Sequence, residues 1–194
     1  MDKNSKNNKT VQAFEALKTN VQIKARNGID FIIAAAIIWI VISFIWKFAD
    51  ISSYQKSLFT FLVSMTLLPV AFALSKVLKT DWKSDNNPLS SLGLWLNFAQ
   101  FAYFPFVLIA LFRYPDYFIV AYAIIAGAHL FPYAWLYDEI GYAFASLLIS
   151  FGSMVFVLFS GTSDMFMIPV FTAFILIGLA FRILFSLKNR ACQQ

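Results

Sequence analysis

The segment DFIIAAAIIWIVISFIWKF, residues 30–48, decides the fold class of this chain. Its only charged residues are Asp30 and Lys47, which stand near its two ends. A helix rises about 1.5 Å per residue, so the segment is long enough to cross the hydrocarbon core of a bilayer, which is about 30 Å thick. It therefore predicts a membrane-spanning helix.

The composition of the whole chain extends this prediction. Hydrophobic residues make up 60% of the 194 residues and charged residues only 13%. A soluble domain has about 45–50% apolar and about 25% charged residues. The apolar runs are continuous, without the alternation of apolar and polar residues typical of membrane β-barrel strands. The sequence thus predicts an all-α, polytopic membrane protein.

Six apolar runs, separated by short polar segments, predict a bundle of six transmembrane helices. The predicted spans are 30–48, 57–75, 91–112, 117–136, 140–160 and 165–186. In this interpretation residues 29–187 form the transmembrane domain. Residues 1–28 form a basic tail with an amphipathic helix, and residues 188–194 form a second, short tail.

The distribution of basic residues predicts the orientation of the chain. If the N-terminus is cytoplasmic, twelve of the fifteen Lys and Arg residues fall on the cytoplasmic side, and only Lys47, Lys56 and Arg113 fall outside. Loops rich in Lys and Arg stay in the cytoplasm. We therefore expect both termini in the cytoplasm, which an even number of spans requires.

The N-terminal tail divides into two parts. Residues 1–10, MDKNSKNNKT, are polar and are expected to be disordered. The following segment predicts an amphipathic helix on the cytoplasmic membrane surface, ended by Gly28. Its apolar residues fall near one helical face: Val11, Phe14, Leu17 and Val21.

A few residues near the span ends carry local expectations. Pro69, Pro105 and Pro169 are expected to bend their spans, because proline lacks an N–H group and its ring clashes with the preceding turn. Asp30 suits the N-cap of the first span at the membrane interface. The acidic residues 138–139 are expected to be a solvated pair at a cytoplasmic turn.

Polar residues of the third, fourth and fifth spans are the main candidates for a site, because polar groups in hydrocarbon need partners. Asn97, His129 and Ser146 each lie six or seven residues, about 9–10 Å, from the cytoplasmic ends of their spans. We expect these three, with Gln100 and Ser150, to meet in one interhelical cluster. An aromatic wall is expected around it: Phe101, Tyr103, Phe104, Tyr122, Phe131 and Tyr133.

Two interpretations of this cluster remain open. In the structural one the polar residues hold the helices together, although interhelical hydrogen bonds contribute on average only about 0.6 kcal/mol each. In the functional one they form a site for a small polar head group, or a proton-responsive gate, since histidine titrates near neutral pH. The candidate ligand-binding residues are then His129, Asn97, Gln100, Tyr103, Tyr122, Tyr133, Ser146 and Ser150.

The residue inventory assigns no catalytic residue, metal site or cofactor. Catalytic zinc needs three protein ligands, and the chain has one histidine, His129, and one cysteine, Cys192, close to its end. A serine nucleophile needs a nearby base, and phosphate-binding loops need a glycine-rich motif that is absent here. Channel and voltage-sensor signatures are also missing.

Three stretches carry a resemblance to a known family: IKARNGIDFIIAAAIIWIVI, NPLSSLGLWLNFAQFAY and YAIIAGAHLFPYAWLY. Over residues 22–145 the chain resembles a family of small bacterial multi-helix membrane proteins, catalogued as a domain of unknown function. The most specific part is the GAHLxPYxWLY pattern at residues 127–137. The resemblance implies a bacterial origin and a plasma-membrane location, and it implies no activity.

The leading functional hypothesis is a membrane protein that binds or passes a small amphiphilic molecule at the cluster around His129. One alternative is a non-catalytic intramembrane subunit that packs against another membrane protein. A third is a lipid-modifying enzyme that uses His129 as a base. The expected partners are the lipid bilayer and either a small amphiphile or another membrane protein, with no nucleic acid.

Overall fold

The computed structural model describes residues 3–82, 87–161 and 164–191. In these ranges the chain is all-α and contains no strand. The helices of the described ranges are α1 (Lys3–Lys24), α2 (Ile29–Phe48), α3 (Ser53–Ser64), α4 (Leu67–Leu78), α5 (Pro88–Ala99), α6 (Phe104–Arg113), α7 (Phe118–Ala128), α8 (Phe131–Tyr137), α9 (Gly141–Phe159) and α10 (Met167–Ala191). Short 3-10 turns occupy Arg26–Gly28, Gln100–Tyr103 and Pro115–Tyr117.

Six helical stretches of the described chain are long and apolar enough to cross a membrane, as the sequence predicts. They are Arg26–Phe48, Ser53–Leu78, Pro88–Arg113, Pro115–Tyr137, Gly141–Phe159 and Met167–Asn189. The second is built from α3 and α4, the third from α5 and α6, and the fourth from α7 and α8. Half of the candidate spans are therefore broken near their middle.

Prolines account for these breaks. A proline ring clashes with the carbonyl four residues earlier and donates no N–H to it. The interruptions of the second, third and fourth stretches each come just before a proline, namely Pro69, Pro105 and Pro132. The expectation for Pro169 was wrong: this residue lies in the first turn of α10, where the missing N–H disrupts no helical hydrogen bond.

The spans alternate in direction, which gives the bundle two distinct ends. At one end, here called the α1 end, the Asp81 amide donates to the Lys24 carbonyl at 2.8 Å, and Arg182 of α10 pairs with Glu139 at the start of α9. At the opposite end the Trp46 indole donates to the Thr60 hydroxyl at 2.9 Å. Both ends are thus joined by polar contacts between helices.

Helix α1 packs on the α1 end of the bundle through its second half. Lys18 is buried with its ammonium 5.0 Å from the ring centre of Trp135. The side-chain amide of Asn87 donates to the Leu17 carbonyl at 2.7 Å. Of the apolar face predicted for this helix, Val21 is buried and Val11 is exposed. The helix begins at Lys3, so the disorder expected for residues 1–10 is not what the structure describes from Lys3 onward.

The outer faces of the bundle are apolar. Large side chains such as Phe159, Phe174 and Phe181 are mostly exposed, Phe159 to 85%. Monomeric soluble proteins rarely expose apolar surface of this extent. The most buried span is α2, which packs against α10, α4 and α3. The six spans and their apolar exterior suggest a multi-pass membrane protein.

Candidate ligand-binding cavity

A cavity of about 690 Å³ opens between α2, α5, α7–α8 and the end of α1. This volume falls within the range of about 300–1,000 Å³ that is usual for small-molecule sites. Its wall is mainly apolar, with Ile32, Ile38 and Leu136 among its members. Its polar members include one group deep between α5 and α7, and another at the α1 end.

The deep polar group is centred on His129 and Asn97. His129 Nε2 lies 3.1 Å from Asn97 Oδ1, which joins the break between α7 and α8 to α5. Asn97 Nδ2 donates to the Gly93 carbonyl at 3.2 Å, and the Tyr133 hydroxyl donates to the same carbonyl at 3.0 Å. The His129 ring also meets the Tyr133 ring edge-on, with centroids 5.3 Å apart.

This network determines which imidazole nitrogen carries the proton. Because the Asn97 amide nitrogen donates to the Gly93 carbonyl, its oxygen is the atom that faces His129. An amide oxygen only accepts hydrogen bonds, so His129 Nε2 is the donor. The neutral ring then has Nδ1 as its acceptor, the group with which it can receive a hydrogen bond from a ligand.

The proline break sets the position of His129. Pro132 cannot donate to the carbonyl of Ala128, so α7 ends there and α8 starts at Phe131. His129 lies in the short turn between the two helices, and its amide donates to the Ile125 carbonyl at 3.1 Å. The histidine thus stands at an interruption in the middle of a span, where side chains from α5 can reach it.

The structure brings five of the eight predicted site residues to one cavity. The cavity is lined by Asn97, Gln100, Tyr122, His129 and Tyr133. Tyr103 is 55% exposed and belongs to the outer surface. Of the predicted aromatic wall, Phe101 and Phe131 also face outward, and Phe104 is not among the lining residues. Its members that line the cavity are Tyr122 and Tyr133.

Ser146 and Ser150 serve helix packing and do not line the cavity. Ser150 Oγ donates to the Ile124 carbonyl on α7 at 3.3 Å. A Cβ atom on Gly127 would lie 2.9 Å from that same Oγ, so α7 and α9 approach closely at this point. Ser146 is only 2% exposed on α9. The predicted single cluster is therefore divided between the cavity and the α7–α9 interface.

The sequence did not predict the polar group at the α1 end of the cavity. Asp30 is 1% exposed in the first turn of α2, and the N-cap position belongs to Gly28, so the capping role expected for Asp30 was wrong. Its Oδ2 atom accepts from the Thr80 hydroxyl at 2.6 Å and from the Trp82 indole at 2.5 Å. Its Oδ1 atom accepts from the Phe31 amide at 3.0 Å. Thr80 and Trp82 lie 50 and 52 positions further along the chain. No local sequence pattern therefore predicts their contact with Asp30.

A left-handed turn brings Asp30 into this position. Arg26, Asn27 and Gly28 have φ angles of 45°, 53° and 68°. At Gly28 a side chain would be strained and would also meet Tyr137 Cε2 at 2.9 Å, so glycine is required. The Tyr142 hydroxyl donates to the Asn27 carbonyl at 2.5 Å and ties this turn to α9.

The acidic pair at residues 138–139 is also different from its prediction. Glu139 is 4% exposed, and its Oε1 atom lies 2.6 Å from Arg182 Nε. The same oxygen accepts from the Gly141 amide at 3.2 Å. The expectation of a solvated pair was wrong for Glu139, because α10 supplies a guanidinium that the local sequence does not reveal.

Metal binding has no support from the described residues, among which no three His, Cys, Asp or Glu side chains come together. Cys192 lies outside the described residues.

Comparison with known families gives a match over most of the chain. The chain matches the Family of unknown function (DUF7010) over residues 14–186. The chain belongs to the DUF7010 family. No curated protein and no solved structure matches it.

The DUF7010 match covers all six candidate spans up to residue 186 and every residue that lines the cavity. It extends beyond the resemblance carried by residues 22–145 and includes the last two spans. Membership of a family of unknown function is thereby confirmed.

Proposed function

We propose that this DUF7010 protein is a multi-pass protein of a bacterial plasma membrane that binds one small amphiphilic molecule in the cavity beside His129. The observation that supports the proposal is the cavity itself. It combines about 690 Å³ of mainly apolar space with the hydrogen-bonded pair His129–Asn97 on its wall. Apolar walls with a few polar groups at set positions are typical of sites for small molecules.

The proposed orientation has both termini in the cytoplasm, and thus the α1 end of the bundle on the cytoplasmic side. It rests on the excess of Lys and Arg in the tails and in the segment between the second and third spans. The bacterial source and the plasma membrane are implied by the GAHLxPYxWLY pattern at residues 127–137.

The surroundings of His129 favour binding over catalysis. The hydrogen-bond partner of its Nε2 is the amide of Asn97, whereas a base in acyl or phosphoryl chemistry is usually oriented by a carboxylate. The outer surface also favours a lipid environment over a tight protein partner. Large apolar side chains, among them many phenylalanines, are exposed there, whereas interfaces between membrane helices are enriched in small residues.

Native mass spectrometry of the full-length protein released from lipid nanodiscs tests the proposal. We expect one amphiphile of defined mass per chain in the wild-type protein. His129→Ala should lower its occupancy at least fivefold, since it removes a polar group from the cavity wall. Ser150→Ala is the matched control, because it also removes an interhelical hydrogen bond and lies outside the cavity.

Equal occupancy in the His129→Ala variant and the wild type, or release of the protein without any bound amphiphile, would overturn the proposal.

A further inference from the structure

We infer that the α1 end of the cavity takes a cationic ammonium group, so that the bound molecule is a cationic or zwitterionic amphiphile with its ammonium beside Asp30. The inference rests on the proposed function and names the chemistry of the head group. It is carried by three features of the cavity wall: a buried carboxylate without an ion pair, the aromatic rings beside it, and the balance of charge.

The first feature is the carboxylate of Asp30. It lines the cavity and is 99% shielded from solvent, with 1% exposed. Among the described residues it accepts three hydrogen bonds, from the Thr80 hydroxyl, the Trp82 indole and the Phe31 amide, which is the acceptor role of an ionised carboxylate. Within the described residues Asp30 has no ion pair with a Lys or Arg side chain. A buried carboxylate of this kind is costly unless a cation compensates it.

The second feature is a set of aromatic side chains around this end of the cavity. Phe31 and Trp82 line the wall with their ring centroids 4.7 Å apart. Tyr137 and Tyr142 line it from the other side, with centroids 5.6 Å apart. Aromatic faces attract alkylammonium groups, and sites for quaternary ammonium ligands combine several rings with an acidic group.

The aromatic surface continues toward the deep end. Tyr133 stands 5.7 Å from Tyr137 and 5.3 Å from His129, centroid to centroid. A row of rings thus connects the surroundings of Asp30 with the His129–Asn97 pair. An amphiphile can lie along this row with its ammonium at the α1 end and its apolar part between α2 and α8.

The third feature is the sign of the charge. Among the described residues that line the cavity, the charged side chains are Lys24, Asp30 and Asp81. Lys24 and Asp81 are neighbours, since the Asp81 amide donates to the Lys24 carbonyl. The wall therefore carries one more negative than positive charge, and Asp30 is the buried member. A cationic group restores neutrality there, while an anionic head group would add a second buried negative charge.

Three probes with the same octyl chain test the inference: octyltrimethylammonium, nonanoate and octyl glucoside. Binding to the full-length protein in dodecyl maltoside micelles is measured by native mass spectrometry. We expect octyltrimethylammonium to bind at least tenfold more tightly than the other two. Asp30→Asn should abolish this preference while its amide oxygen still accepts from Thr80 and Trp82. Asp81→Asn removes the same charge from an exposed position of the same wall, and should change the preference less than threefold.

A second variant covers the case in which Asp30→Asn fails to fold. Phe31→Leu keeps the carboxylate and its three hydrogen bonds. It should weaken octyltrimethylammonium binding three- to tenfold and leave octyl glucoside binding unchanged, because only the cation interacts with the ring face.

The result that overturns the inference is binding of the three probes without head-group preference, a preference that survives Asp30→Asn, or octyltrimethylammonium binding that Phe31→Leu leaves unchanged. That result leaves amphiphile binding itself intact, whereas failure of all three probes to bind contradicts the proposed function as well.

The source of the ammonium is distinguished by nanodiscs made with phosphatidylglycerol alone or with added phosphatidylethanolamine. Co-release of phosphatidylethanolamine supports a lipid head group at Asp30. Binding of octyltrimethylammonium without any co-released lipid supports a free cationic amphiphile.

Discussion

His129 Nε2 lies 3.1 Å from Asn97 Oδ1, across the space between the α7–α8 break and helix α5. The contact joins residues 32 positions apart and lies on the wall of the cavity. It joins two members of the interhelical cluster that the sequence predicted. The contribution of this contact to the free energy of unfolding can be measured.

We predict a modest coupling energy between these two residues. In a double-mutant cycle of His129→Ala and Asn97→Ala, the coupling should be about 0.6 kcal/mol, the average for interhelical hydrogen bonds in membranes. Reversible unfolding of the protein in mixed micelles by sodium dodecyl sulfate provides the measurement. Strictly additive effects of the two substitutions would show that the contact contributes nothing to stability.

Gly127→Ala should destabilise the bundle. The added Cβ would lie 2.8 Å from Ile149 Cγ2 and 2.9 Å from Ser150 Oγ, so α7 and α9 must move apart. Overpacking of this kind costs about 1–3 kcal/mol. The measurement is the midpoint of thermal unfolding in micelles.

The matched control is Gly178→Ala on α10, where an added Cβ has no atom within 4 Å. This variant should be neutral, or more stable by up to about 1 kcal/mol, because alanine favours helix over glycine. Equal destabilisation by both variants would contradict the close α7–α9 approach.

Gly28→Ala should disrupt the turn from α1 into α2. Gly28 has φ +68°, and its added Cβ would lie 2.9 Å from the Tyr137 ring. The left-handed backbone alone costs a residue with a side chain about 1–2 kcal/mol. Gly93→Ala is the control, since its Cβ would meet only Leu136 at an ordinary 3.6 Å. Limited proteolysis between α1 and α2 reports the loosening, and equal cleavage of both variants would argue against a constrained turn.

Arg182→Gln should destabilise the protein more than Glu139→Gln. Removal of the guanidinium leaves the carboxylate of Glu139 unpaired at 4% exposure, and an unpaired buried charge is unfavourable. Glutamine at position 139 is neutral and can still accept from the Gly141 amide. Unfolding midpoints of the two variants provide the comparison. The opposite order would mean that the half-exposed Arg182 leaves Glu139 adequately hydrated.

The orientation is tested by labelling cysteines from one side of the membrane. In a Cys192→Ser background, Asp50→Cys at the end opposite α1 should react with an impermeant maleimide added to intact spheroplasts. Lys9→Cys on α1 should react only after the membrane is permeabilised. The reverse pattern would contradict cytoplasmic termini. Both positions are exposed, so accessibility of the side chain itself does not bias the result.

The cavity wall shows which side-chain directions the periodicity of the sequence predicts and which it does not. Asn97, Gln100 and Tyr103 share one face if the helix is regular, and the first two indeed line the cavity. The Gln100–Tyr103 segment is instead a 3-10 turn, with three residues per turn against 3.6 in an α-helix. Tyr103, the last residue of this turn, is exposed on the outer surface, so the shared face predicted for a regular helix does not extend to it.

The serines of α9 illustrate a different limit. Ser146 and Ser150 do share a face, as their spacing predicts, and that face points toward other helices. Which neighbour it meets depends on the packing of α7, where Gly127 lets α9 approach closely. Spacing fixes the relative direction of two side chains on one helix, and it does not fix what lies opposite.

The sequence by itself determined the six apolar helices, since the hydrophobicity of a run of about 20 residues is a local sum that needs no tertiary information. It also determined that His129 and Asn97 lie at one depth, because depth follows from counting residues along a helix. The tertiary structure alone decided that Asp30 is buried against Thr80 and Trp82, and that Glu139 pairs with Arg182. These contacts join segments more than forty residues apart, and their formation depends on how the helices rotate and pack against each other.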